Sequence, residues 1–271
     1  MNEGADKRVT AASLKGMKAS GKKIVVVTGY DYPLARILDR SGVDVVLVGD
    51  SLGMVVLGHE STVPVTMADM VHHTRAVARG CRRALITADL PFLSCDLGPD
   101  EAVRNAGRLV QEGGAHTVKV EGGAEMGEVV SRIVAADIPV MGHIGLTPQS
   151  ILRLGSYQVQ GRGPEAARRL LGDARALESA GAFAVVLECV PGELAAEITG
   201  ELSIPTIGIG AGPSCDGQVL VAHDLLGMFD EFRPTFVKRY AEIGQEIARA
   251  VGEYAREVRD GTFPGPEQTF Q

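Results

Sequence analysis

The chain has 271 residues, a net charge of −7, 45% hydrophobic residues and no tryptophan. That balance excludes a general nucleic-acid binder, which needs a stripe of lysine and arginine for phosphates. No apolar stretch approaches the roughly 20 residues that span a bilayer. The N-terminal segment carries acids and lacks a hydrophobic signal core, and Cys81, Cys95, Cys189 and Cys215 form no C-x-x-C pair. The expectation is a cytoplasmic protein with reduced thiols and a small-molecule partner.

Short runs rich in Val and Ile alternate with segments of helical period. The first run, 24–28, is followed by TGYDYP and by a stripe of Leu34, Ile37 and Leu38 that stops at Gly42. The second, 44–48, leads to Asp50; beyond it Thr66 and Asp69 form a capping-box pattern ahead of Met70, Val71, Thr74 and Val77. The third, 84–88, closes on Asp89, and Asp100 is placed to cap a helix using Val103, Ala106, Leu109 and Val110, ended by Gly113 and Gly114. The fourth, 116–120, closes on Glu121; the fifth, 138–141, leads to His143. A helix with Leu170, Leu171, Ala174 and Leu177 ends at Gly181, and the sixth run, 183–187, closes on Glu188. The seventh is 205–209, and a weaker eighth is 225–229. A long amphipathic helix is expected over 235–258, with Phe236, Val237, Tyr240, Ile243, Ile247, Val251 and Tyr254 on one side.

Seven or eight β–α units in about 250 residues is the arithmetic of a (β/α)8 TIM barrel. The runs lack polar alternation, as parallel strands covered on both faces do. No linker or composition shift divides the chain, so an α/β fold with one barrel domain over 1–271, a short N-terminal extension and a long C-terminal helix is expected. The competing open doubly wound sheet binds ligands only at its switch point. Polar residues at most strand ends favour the closed barrel, and TGYDYP is no dinucleotide-binding turn. The connections 51–66, 90–99 and 144–164 all follow strands, so in a barrel they border one site.

Asp50, Asp89 and Glu121 would then converge, and an all-oxygen set suits Mg²⁺ or Mn²⁺. An Asp after a strand often caps a helix, yet neither Asp50 nor Asp89 is followed at once by a helical pattern. Lys119 and Glu121 lie two apart, pointing to the same side of their strand. They read either as a buried ion pair or as an anion-holding lysine beside a member of the metal shell, bound directly or through water; the rarity of fully buried Lys and Glu favours the second. Glu188 is a base for a carbon-bound proton or half of a rim ion pair. His143 is a substrate contact or a hydrogen-bonded core residue. Gly208, Gly210 and Gly212 suit a phosphate or tight packing. Cys189, on the opposite face from Glu188, is a weak candidate nucleophile.

With these residues in place, the chain resembles the ketopantoate hydroxymethyltransferase family. TGYDYP, LVGDSLGMVVLGHESTVPVT, ADLPF, VKVEGG, GHIGLTPQS, VQGRG, LECVP and IGIGAGPSCDGQVLV follow in the family's order over nearly the whole chain. The resemblance implies a barrel of the phosphoenolpyruvate/pyruvate type, Mg²⁺, and transfer of a hydroxymethyl group from methylenetetrahydrofolate to 3-methyl-2-oxobutanoate in pantothenate biosynthesis. It implies Asp50, Asp89 and Glu121 as metal residues, Asp50, Ser51, Asp89 and Lys119 as keto-acid contacts, and Glu188 as proton acceptor. It also implies a homo-oligomer, commonly a decamer. Gly29, Ser156, Gln158 and Gln268 depart from the family pattern, outside the metal centre.

Overall fold

A computed structural model describes residues 7–230 and 234–270, which fall into two compact units, one ending at Val221 and one beginning at Ala222. In the first, β1 (Ile24–Thr28), β2 (Val45–Val48), β3 (Leu85–Asp89), β4 (Thr117–Glu121), β5 (Val140–Gly145), β6 (Ala184–Glu188), β7 (Thr206–Ile209) and β8 (Gly217–Leu220) close into a parallel barrel in sequence order. Closure settles the choice against an open sheet.

The helices of this unit are α1 (Ala11–Ala19), α2 (Tyr32–Arg40), α3 (Leu52–Val55), α4 (Met67–Gly80), α5 (Pro99–Gln111), α6 (Gly127–Val134), α7 (Ile151–Leu154), α8 (Pro164–Ser179) and α9 (Gly192–Glu201). Helix α4 carries the capping box read from the sequence: Thr66 Oγ1 accepts from Asp69 N–H at 3.2 Å, and Asp69 Oδ2 accepts from Thr66 N–H at 2.9 Å. Asp100 is a correction. The chain enters α5 through Gly98 and Pro99, so Asp100 lies inside the first turn, where it pairs with Arg132 at 3.0 Å.

Helix α1 was not foreseen, because its sequence is mostly small and polar residues around Leu14. It closes the amino-terminal end of the barrel. Leu14 is fully buried and joins the interior cluster of Ile24, Val26, Val45, Leu47, Leu85, Met141 and Val219. Lys18 reinforces the plug, reaching Asp216 at 2.9 Å and the carbonyls of Thr199 and Ile204. With that end sealed by hydrocarbon, polar chemistry is left to the carboxyl ends of the strands.

The eighth strand is the main correction. It is Gly217–Leu220, not 225–229, and residues 222–225 are helical instead. Only residues 210–216 join β7 to β8, without a helix, so the β–α alternation breaks there. Gly217 reads in sequence as a turn residue, yet in the barrel a Cβ there would lie 2.5 Å from the Ile24 carbonyl oxygen. Close approach of β1 and β8 demands it.

The second unit contains α10 (Ala222–Leu225) and α11 (Ile243–Asp260). The helix expected from 235 begins only at Ile243. Amides before and at its start are committed elsewhere: Tyr240 N–H donates to Leu225 O, Ile243 N–H to Leu226 O and Gly244 N–H to Gly227 O. Phe236, Val237 and Tyr240 thus precede the helix. Ile247, Val251, Tyr254 and Val258 on α11 stay 46–59% exposed. Gln268, one of the departures from the family pattern, accepts locally from Gly265 N–H at 3.1 Å.

Candidate active site

Strand register gathers the charged residues. Asp89 is paired with Lys119 across β3–β4, Glu121 with His143 across β4–β5, and Gly145 with Glu188 across β5–β6. On β4, Val118 and Val120 face the other way and are wholly buried. Asp50 lies just past β2. Helix capping does not explain its position, since α3 has no side-chain cap. Asp50, Asp89, Lys119, Glu121, His143 and Glu188, all singled out in the sequence, therefore meet at one end of the barrel.

Asp89 Oδ2 accepts from the Asp50 backbone N–H at 3.0 Å and lies 3.3 Å from Lys119 Nζ. The same ammonium is 3.5 Å from Glu121 Oε1 and 3.0 Å from His143 Nδ1. His143 Nδ1 is also 3.3 Å from Glu121 Oε1, and its Nε2 is 3.3 Å from Glu188 Oε2, close but out of line for a hydrogen bond. Ser51 Oγ is 2.8 Å from the hydroxyl of Tyr30, a residue that is itself 1% exposed. Glu188 is the most open of the acids at 16% side-chain exposure, against 3–4% for Asp89 and Glu121.

Burial raises the pKa of Asp50 well above the usual carboxylate range, and the charges of Glu121 and Asp89 add to it. Burial also raises Asp89, against the pull of Lys119. For Glu121 burial acts upward too, but Lys119, His143 and a backbone N–H from Gln149 prevail and bring it down to about 2. Lys119 is lowered by burial and raised more strongly by its three carboxylate neighbours, so it is a firm cation. Burial and Lys119 lower His143, while Glu121 and Glu188 carry it up to about 9. A protonated ring conflicts with the 3.0 Å contact to Lys119, which only an acceptor nitrogen satisfies. Lys119 has only protons to give, so His143 Nδ1 accepts from it and the neutral ring carries its proton on Nε2, 3.3 Å from Glu188.

Three carboxylates around one firm cation leave negative charge uncompensated. Asp89 Oδ1 is buried without a hydrogen-bond partner. Such an oxygen is costly unless something binds it. Among the described residues no three His, Cys, Asp or Glu side chains are spaced to enclose a metal alone. The arrangement fits a hard divalent cation held by few protein oxygens, with other positions open to an oxygen-bearing ligand.

Gly49 makes room for this centre: a Cβ there would stand 2.8 Å from Ser51 Oγ and 3.5 Å from Asp89 Oδ2. Gly49→Ala is expected to displace the Ser51 hydroxyl and lower kcat/KM by about 10²-fold, the scale of an ångström's misplacement. The comparison is of steady-state rates, with Tm confirming the fold.

Two residues at the site escaped the sequence reading. Tyr30 orients Ser51, and Gln149 bonds to both Asp50 and Glu121. Both lie in quoted strand-end motifs, and that placement was the available signal. Tyr157, on the connection after β5, has its pKa raised by burial and by the charges of Glu188, Asp50 and Glu121, and its hydroxyl lies 3.9 Å from Met54 Sδ. Ser156 and Gln158 bond to one another at 2.8 Å. Packing accounts for Gly208, whose Cβ would stand 3.0 Å from Cys215 Sγ. The Cys189 thiol is pushed up to about 11 by burial and Glu188, so at neutral pH it is protonated, a poor nucleophile.

An eight-stranded parallel barrel with buried acids at the carboxyl ends of its strands places the chain in the class of (β/α)8-type barrels, with known relatives in shape. It superposes on phosphonopyruvate hydrolase, solved with oxalate and Mg²⁺, with TM-score 0.59 and 15% identity, covering 95% of this chain and 92% of that one. It superposes on 2,3-dimethylmalate lyase, a PEP mutase/isocitrate lyase superfamily member, with TM-score 0.58 and 17% identity, covering 96% and 91%. These likenesses establish the fold. Sequence goes further: the profile of the ketopantoate hydroxymethyltransferase family matches residues 8–266. The 3-methyl-2-oxobutanoate hydroxymethyltransferase of Syntrophus aciditrophicus is 56% identical over 264 residues, 97% of either chain. That of Moorella thermoacetica is 57% identical over 264 residues, 97% of this chain and 98% of its own. The chain belongs to the ketopantoate hydroxymethyltransferase family, and it is an enzyme.

Proposed function

We propose that the enzyme transfers a hydroxymethyl group to 3-methyl-2-oxobutanoate, with methylenetetrahydrofolate as one-carbon donor and Mg²⁺ as the metal, in pantothenate biosynthesis. The observation that carries this reading is the buried meeting of Asp50, Asp89, Lys119 and Glu121 at the barrel mouth, with the more open Glu188 beside them. Asp50 and Asp89 would hold the metal. Both Glu121 oxygens are already engaged, Oε1 by the Lys119 ammonium and Oε2 by the Gln149 N–H, so Glu121 would act on it at one remove. When bound, the ion supplies Lewis-acid polarisation of the keto group, an effect worth several kcal/mol.

Lys119 and the Ser51 hydroxyl orient the substrate carboxylate. Glu188 removes the proton from the methine carbon beside the carbonyl, and the C–H electron pair passes into the carbonyl as an enolate. That carbon then forms its new bond to the one-carbon unit; water supplies the hydroxyl, and tetrahydrofolate leaves. His143 sits behind Glu188, its Nε2 3.3 Å from the carboxylate that receives the proton. Assembly into a homo-oligomer belongs to the same reading, supported by the exposed apolar face of α11.

The test isolates the first half of the reaction. In D₂O, with Mg²⁺ and no folate, the methine proton of 3-methyl-2-oxobutanoate is expected to exchange; removal of the metal stops it. Product formation requires methylenetetrahydrofolate. Exchange at full rate in chelator, or none with Mg²⁺, overturns the reading.

A further inference from the structure

Gln149 occupies the turn after β5 and is 9% exposed. Its Nε2 donates to Asp50 Oδ2 at 2.8 Å and to the Leu90 carbonyl at 3.0 Å. Its backbone N–H donates to Glu121 Oε2 at 3.1 Å. A carboxylate and a carbonyl can only accept, so both amide protons are committed and the orientation of the amide is settled by its partners. One residue thus ties together the ends of β2, β3 and β4 from a fourth element. Two of its three acceptors are acids of the proposed metal centre.

The turn itself does not need this side chain. Ser150 N–H donates to Thr147 O at 2.9 Å, Thr147 Oγ1 meets Ser150 Oγ at 3.0 Å, and Pro148 restricts the backbone between them. The side chain instead reaches the place where negative charge is in excess. A neutral amide there fixes a carboxylate without neutralising it. A lysine in its place would compete with a bound cation, and an apolar residue would leave the Leu90 carbonyl and Asp50 Oδ2 without their donor.

We infer that Gln149 is a positioning residue of the metal centre, fixing the rotation of Asp50 through its amide and anchoring Glu121 through its backbone. The inference rests on the proposed role of these acids in holding Mg²⁺. It assigns Gln149 no contact with the reacting atoms, so its loss weakens metal binding more than chemistry.

Gln149→Met keeps the length and the backbone N–H but removes both amide donations. Mn²⁺ titration of the full-length enzyme, followed by electron paramagnetic resonance, is expected to show affinity about 10–100-fold weaker than wild type, the usual effect of losing such a partner. In the proton-exchange assay, half-saturating Mg²⁺ rises by the same factor while the plateau rate stays within about threefold of wild type. Unchanged Mn²⁺ affinity in Q149M, with wild type binding normally, overturns the role of Gln149 alone, and so does a collapsed plateau at unchanged metal dependence. Wild type that binds no Mn²⁺ fails the metal reading and this inference together. Should Q149M not fold, Gln149→Asn, too short by a methylene to reach Asp50, carries the same expectations.

Discussion

Glu188→Gln is expected to lower solvent exchange of the substrate's methine proton by about 10²–10⁴-fold, the usual contribution of a positioned general base. Glutamine has the shape of glutamate and no basic oxygen. The groups proposed to hold the keto acid and the metal lie just past β2 and on β3 and β4, whereas Glu188 ends β6. Keto-acid affinity, measured by calorimetry with Mg²⁺ present, is therefore expected to stay within a few-fold of wild type. Loss of exchange with binding retained identifies the base; retention of exchange removes Glu188 from that role. His143→Gln sharpens the result. It removes the ring that faces Glu188 at 3.3 Å but leaves the carboxylate, so its exchange rate is expected to fall between the two.

The barrel was legible because buried parallel strands write themselves as short Val- and Ile-rich runs, and because an acid directly after such a run is costly without a reason. Asp89, Glu121 and Glu188 are the last residues of β3, β4 and β6. What stayed hidden obeys other physics. Strand β8 is short and opens on Gly217, whose role depends on the closeness of β1, a neighbour nearly 200 positions away in sequence. The start of α11 is set by hydrogen bonds to 225–227, which no helical period reveals. Gln149 and Tyr30 carry no formal charge, so their presence near the acids raises no electrostatic question in the sequence. Only the folded chain brings the Gln149 amide to Asp50 and the Tyr30 hydroxyl to within 2.8 Å of Ser51 Oγ.

Asp50→Asn is expected to raise the Tm of the metal-free enzyme at pH 7 while abolishing its metal response. Burial and two neighbouring carboxylates hold the folded pKa of Asp50 above its ordinary value of 3.8. The folded chain thus binds this proton more tightly than the unfolded chain does, and stability declines as pH rises from 3.8 through the raised pKa. At neutral pH the charged form is a net burden without a cation. Asparagine removes the charge and keeps an oxygen for the Gln149 amide. Glu121 has the opposite sign: against burial, Lys119 and the Gln149 N–H hold its folded pKa below the ordinary 4.5, so its contribution is present above 4.5 and is lost as pH falls through the folded pKa. Glu121→Gln is accordingly expected to destabilise, by about 3 kcal/mol for breaking a buried charge pair. Saturating Mg²⁺ separates the cases further: at 100 times its Kd a ligand stabilises the wild type by about 2.7 kcal/mol, whereas D50N gains nothing. Thermal melts of the three proteins with chelator and with Mg²⁺ test this directly. A metal-free D50N less stable than wild type, or one still stabilised by Mg²⁺, contradicts the placing of Asp50 as a charge held in readiness for a cation.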